Sequence, residues 1–187
     1  MLRHQWAYFL IWAVALTLAG CASTPQSPSH NGGLIHERNQ GYSLLYKLTS
    51  DEGNVSKILI LKHAEEPLAG LVKEISAFCK TAKNRMDAFP KSDSRIEYDM
   101  TDLPVIEQQS RDQTAKSDAI ALLSSNGKEF ELRLVFTQAQ AMDYAAQLSS
   151  ALAKSEDDPS RQRFLTSLTV GYAGFHRRLM NLLTVQF

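Results

Sequence analysis

Three long stretches of this sequence place apolar side chains at alternating steps of three and four, which restricts the chain to helices packed on helices. In residues 67–89 the stripe runs Leu68, Leu71, Ile75, Phe78, Ala82, Met86 and Phe89. At 3.6 residues per turn these positions fall on one face of an α-helix. Pro67 suits the first turn, where its missing N–H costs nothing, and Pro90 predicts the stop. Residues 128–154 repeat the pattern through Phe130, Leu134, Thr137, Ala141, Tyr144, Leu148 and Ala151. A third stripe holds Leu165, Leu168, Tyr172, Phe175, Leu179 and Leu182, and Asp158-Pro159 ahead of it reads as a cap followed by proline.

Two further segments are helical with weaker signals. Residues 42–62 carry Leu45, Leu48, Val55 and Leu59 on one side, but their middle is polar and contains Gly53. Glycine inside a helix costs up to ~1 kcal/mol, so this helix is expected to bend or divide there. Residues 104–125 have a thin stripe of Val105, Ala115, Ala119 and Leu122 among glutamines, and Ser125-Asn126-Gly127 breaks it. Residues 90–104 show no helical period and predict a loop. No segment alternates as a strand between hairpin turns. The expected fold is all-α, an antiparallel four-helix bundle with an additional or kinked helical segment around residues 104–125.

The N-terminus has a different composition. Arg3 and His4 precede an apolar run from Trp6 to Leu18, closed by Leu18-Ala19-Gly20-Cys21. A short basic region, an apolar region and small residues before a cleavage point make a signal peptide. A bilayer-spanning helix needs about 20 apolar residues, and Trp6 to Gly20 supplies 15 before a polar, proline-containing run. The ending Leu18-Ala19-Gly20-Cys21 resembles the lipobox of bacterial lipoproteins. In that family the signal is cut before the cysteine, between Gly20 and Cys21 here. The thiol is diacylated, and the new amine is usually acylated as well. More than one acyl chain holds a protein stably on a membrane. Ala22 and Ser23 follow, with no Asp beside the cysteine. The resemblance therefore implies the outer membrane, facing the periplasm, over the inner membrane.

Residues 22–41 offer almost nothing to bury and predict a flexible tether spanning roughly 25 Å. The expected organisation is a signal peptide over 1–20, a lipidated cysteine and tether over 21–41, and a bundle over 42–187. The chain carries 20 Lys+Arg against 20 Asp+Glu. Without Arg3 the balance is 19 against 20, a net charge of −1. That balance argues against nucleic acid, whose phosphates need a concentrated basic face. It also argues against a polybasic membrane patch.

Within the predicted bundle, Gly127 and Phe130 open one helix, Asp158 and Pro159 open the last, and His176 stands alone near its end. In this pattern the chain resembles a family of small envelope proteins of unknown function with a ferritin-like four-helix bundle. The resemblance implies the fold and little about activity. Di-iron bundles use Glu-x-x-His on two helices, because that spacing puts both ligands on one face. No Glu-x-x-His or Asp-x-x-His occurs here. No metal and no cofactor is expected.

The remaining candidates for chemistry are few. His176 is the histidine on a well-marked helix, but Arg177 and Arg178 beside it oppose a cation. Tyr144 and Tyr172, with Gln138, Gln140 and Gln147, can line a polar pocket, or the tyrosines can fill the core edge with hydroxyls reaching water. The acidic run Glu156-Asp157-Asp158 can attract a divalent ion, though at a helix start it better suits capping and the helix dipole. Cys79 lies near a core stripe and reads as a packed thiol, with a redox or intermolecular role as the alternative. Glu107/Arg111 and Glu129/Arg133 are spaced for pairing along solvated helix faces. Neither a nucleophile elbow nor a phosphate-cradling glycine loop is present, so no catalytic residue is expected. The functional expectation is a non-catalytic envelope lipoprotein with a binding or structural role and an envelope protein as partner. The alternative is a ferritin-like metal-binding or stress-related module.

Overall fold

The computed structural model describes residues 30–186; the expected signal peptide and its cleavage point between Gly20 and Cys21 lie outside the described residues. Helix α1 spans His30–Glu52 and is followed, after Gly53 and Asn54, by a 3-10 turn and the short helix α2 (Ile58–Leu61). The expected break at Gly53 is therefore real. α3 covers Leu68–Met86, α4 Phe89–Ser92, α5 Val105–Ser124, α6 Gly127–Ser155 and α7 Pro159–Gln186. No strand occurs among the described residues. Pro67 stands just before α3. Pro90 does not end a helix as expected: α3 ends earlier, at Met86, and Pro90 sits in the first turn of α4, where it needs no N–H partner.

Four long helices, α1, α3, α6 and α7, surround one core, and each runs antiparallel to its two neighbours. Short connections and paired side chains fix the directions. On α1 and α3, Tyr46 bonds Asp87 at 2.7 Å near one end, and Gly53 lies against Lys80 near the other. On α3 and α7, Glu74 pairs with Arg178 and the Arg85 guanidinium lies over the Phe164 ring. Gly41 of α1 meets Leu152 near the C-terminal end of α6. Helix α5 returns the chain along the outside of the bundle, and Gly127 starts α6 with φ +56°, a left-handed conformation natural to glycine. The core contains Tyr42, Leu45, Val72, Ile75, Leu134, Met142, Leu165 and Leu179, all essentially inaccessible. The last helix opens as its sequence indicates: Asp158 Oδ1 accepts the Arg161 N–H at 2.8 Å.

The tether boundary differs from expectation. Residues 30–41 were expected to be coreless coil, yet they form the first half of α1. The reason is polar rather than apolar burial. Arg38 is 6% exposed and donates to Asp157 at 2.8 Å, so this turn docks through a charge that no hydrophobic period reveals.

A close helix crossing depends on Gly171. A Cβ placed there would lie 2.4 Å from Cζ of Phe78, whose ring meets Tyr172 and Phe175 edge-on at 5.2 and 5.3 Å. The ring is flanked edge-on by Tyr172 and Phe175, so moving it disturbs both contacts. Gly171→Ala is expected to cost about 1–3 kcal/mol, the usual range for overpacking. Chemical denaturation checks this, and a variant as stable as the parent would show that Phe78 has room to move.

Candidate functional site: the groove under helix α5

Helix α5 carries few apolar residues, and none of its described side chains is buried. It rests on the bundle through its two ends. Near its start Arg111 donates to the Tyr144 hydroxyl at 3.0 Å, its guanidinium 5.3 Å from the ring centroid, and is held by Glu107 at 2.7 Å. Beyond its end Lys62 Nζ donates to the Ser125 carbonyl and to Asn126 at 3.0 and 2.9 Å. Between these clamps lies a groove of about 890 Å³. Leu48, Val55 and Ile58 form one wall, Ala115, Ala119 and Leu122 of α5 the opposite one, and Leu134 and Ala141 of α6 line it as well. The volume falls within the range that holds a small organic ligand.

Polar side chains from α1, α5 and α6 stand among the apolar ones. Glu52, at the end of α1, and Gln138, in the middle of α6, both face this groove. Glu52 Oε2 and Gln138 Oε1 are enclosed acceptors with no hydrogen-bond donor from the protein. Burial pushes the Glu52 pKa up to about 7; the Gln138 amide works against that shift, and the adjacent Asp51 carboxylate adds to it. A carboxyl poised near neutrality in an apolar cleft is a recognised mark of a functional site.

Behind Glu52 the interior continues with polar groups that satisfy each other. Thr49 Oγ1 and the Tyr172 hydroxyl lie 3.0 Å apart. Ser76 donates to the Gly53 carbonyl at 2.7 Å, covering the C-terminal end of α1. Cys79 is a free, fully buried thiol. Burial raises its pKa to about 12, and the Glu52 carboxylate adds to the rise. Such a thiol is not a nucleophile at neutral pH. Alkylation at pH 8 is expected to leave Cys79 unmodified in the native protein and to modify it fully in denaturant, read by peptide mass spectrometry; rapid native labelling would refute this.

The three tyrosine and histidine candidates do not converge. Tyr144 lies on the groove rim, 37% exposed. Tyr172 is 1% exposed, and its hydroxyl meets Thr49 within the core instead of reaching water. His176 Nδ1 lies 2.9 Å from the Ala139 carbonyl, which places the proton on Nδ1 and uses the ring to tie α7 to α6. Gln138 and Gln140 do share the groove with Tyr144. The Glu156-Asp157-Asp158 run is spent on structure: Glu156 turns inward to Arg161 at 2.8 Å and Tyr42, Asp157 holds Arg38, and Asp158 caps α7. Among the described residues no three His, Cys, Asp or Glu side chains are grouped to hold a metal ion. None of their helices is long and apolar enough to cross a membrane.

Glu52 was the residue not singled out from the sequence. Its signal is register: Leu45, Leu48, Glu52, Val55 and Leu59 follow the three-four spacing, so a carboxylate occupies a core-facing position.

No family model and no curated protein matches this chain. Among solved structures, a crystal structure of a DUF305 fragment from Deinococcus radiodurans is similar, with a TM-score of 0.66 at 11% sequence identity. The likeness covers 79% of this chain and 95% of that one. At that identity it speaks for the fold alone, and the fold it supports is the helical bundle.

Proposed function

We propose that this protein is a non-catalytic lipoprotein of the outer membrane, held at the periplasmic face through acylated Cys21, whose bundle binds a small ligand with an apolar body beneath α5. The groove carries the reading: an apolar cleft of ligand size with two buried, unpartnered acceptors at its floor. The lipobox ending at Cys21 supports the anchor. The ferritin-like metal alternative finds no grouped ligands among the described residues.

Native mass spectrometry of protein isolated from its own membranes is the test of binding. A bound molecule of small-ligand mass is expected, lost in Ala119→Trp, whose indole would fill the groove. Protein that carries only its acyl groups, and takes up nothing from an envelope extract, would overturn the binding reading. A single dominant envelope protein recovered with it through the α5 face would replace the small ligand with a protein partner. The anchor has a separate test: Cys21→Ser should abolish fatty-acid labelling and leave an unprocessed precursor, whereas labelling that survives would refute it.

A further inference from the structure

The groove's chemistry selects among ligand classes, granted that it is a ligand site as proposed above. Both unpartnered atoms in its floor, Glu52 Oε2 and Gln138 Oε1, are acceptors. Gln138 is 4% exposed, so solvent does not reach it freely. The ionisable lining is acidic in balance: Asp51, Glu52, Glu107 and Asp118 against Lys57 and Arg111. Glu107 and Arg111 pair with each other and Asp51 pairs with Lys47, which leaves Glu52 and Asp118 against Lys57. The site therefore asks for hydrogen-bond donors and positive charge at one point, and for apolar surface against Leu48, Val55, Ile58, Ala115, Ala119 and Leu122.

We propose that the groove takes a protonated organic amine, its ammonium seated between the free oxygens of Glu52 and Gln138 and its apolar body held between α5 and the bundle. An ammonium brings three N–H donors and a charge. A water molecule can satisfy the two acceptors but does not neutralise the carboxylate. A neutral alcohol has the same limitation. A carboxylate or phosphate ligand would add acceptors where acceptors are already in excess. A bare divalent cation would need several more oxygens than this pair supplies. Seating the ammonium favours the ionised form of Glu52. Where that group is protonated in the free protein, binding releases its proton to solvent.

Tryptamine, its deaminated analogue 3-ethylindole and indole-3-propionate share one indole-ethyl body and separate the possibilities by the group at its end. Both tryptophans, Trp6 and Trp12, precede Cys21, so the processed chain has no indole fluorescence of its own to compete. Titration uses the full lipidated chain in nanodiscs, with empty nanodiscs as the blank. Tryptamine is expected to bind about tenfold or more tighter than 3-ethylindole, the scale of one charge-assisted hydrogen bond, and indole-3-propionate more weakly than either. Glu52→Gln should remove the tryptamine advantage over 3-ethylindole. Gln138→Leu should weaken tryptamine binding as well, giving a second variant if the first is poorly folded. Calorimetry at pH 6 in two buffers of different ionisation heat should show proton release with tryptamine in the parent and none in Glu52→Gln. Equal binding of tryptamine and 3-ethylindole would overturn the ammonium assignment and leave the small-ligand reading standing. Failure of all three to bind, together with nothing carried from the membrane, would overturn both.

Discussion

Glu156→Ala should lower the stability of the bundle by about 3–5 kcal/mol, the range for removing one member of a buried charge network. The side chain of Glu156 is wholly inaccessible. It accepts hydrogen bonds from Arg161 Nη2 at 2.8 Å, from the backbone N–H of Asp158 at 2.9 Å and from the Tyr42 hydroxyl. Arg38 stands 3.9 Å away, and Asp93 meets the same Arg161 nitrogen, Nη2, at 3.1 Å. One carboxylate thus ties α1, the loop after α4 and the α6–α7 connection together. Its loss leaves two largely buried guanidiniums and a buried phenol with fewer partners. Because domains of this size retain only about 5–15 kcal/mol in total, that is a substantial part of the whole. The expected fall in Tm is roughly 6–20 °C. Burial by itself would raise the Glu156 pKa, but the hydrogen bonds from Arg161 and Tyr42 outweigh it and hold the carboxyl below its ordinary value. Its contribution is therefore present above the unfolded-state carboxylate pKa and is lost as pH falls through the depressed folded value. A variant within about 1 kcal/mol of the parent by urea denaturation would show that the network adds little net stability.

Glu52→Gln should act in the opposite direction and with opposite pH dependence. The folded protein holds this carboxyl at a pKa of about 7 against an ordinary 4.5. Between these values the folded state binds a proton that the unfolded state has released, so stability falls as pH rises through that window and levels off above it. The shift corresponds to up to roughly 3 kcal/mol. The amide has nearly the same shape and no charge to bury. The variant should therefore match the parent near pH 4.5 and exceed it at pH 8. The groups around Glu52 do not offset the effect: Asp51 raises its pKa further, and Cys79 and Tyr172 are themselves held neutral mainly by burial. Parallel stability curves for parent and variant from pH 5 to pH 8 would refute the assignment. Together the two carboxyls predict maximal stability on the mildly acidic side of neutrality, set by loss of the Glu156 contribution below and ionisation of Glu52 above.

The two carboxyls differ in how visible they are in the sequence. Glu156 opens an acidic run before Pro159, where capping is the natural reading, and Asp158 does cap α7. The inward turn of Glu156 depends on Arg38 and Tyr42, more than a hundred residues earlier in the chain, and no local pattern links them. Glu52 is different, because its position in the leucine register marks it as core-facing, although Gly53 next to it suggests a bend and draws attention away. The candidate site was partly legible for the same reason. Gln138, Gln140 and Tyr144 all line the groove from α6 and read as a possible polar lining. That α5 would be the opposite wall could not be read locally, because its own stripe is too thin to say where it docks. Tyr172, the other tyrosine on a core stripe, is closed off by Thr49 from α1.

From the sequence alone come the all-α class, the long helices, the break at Gly53 and the cap at Asp158. Each of these is a local property: apolar spacing, backbone freedom or a short ordered motif acts within a few residues. Tertiary structure alone decided that α1 reaches back to His30, that Arg38, Tyr42, Asp93, Glu156 and Arg161 form one network, and that α5 leaves a groove floored by Glu52 and Gln138. Burial of a polar group is worthwhile only when distant partners meet it, and the identity of those partners is set by how the helices pack.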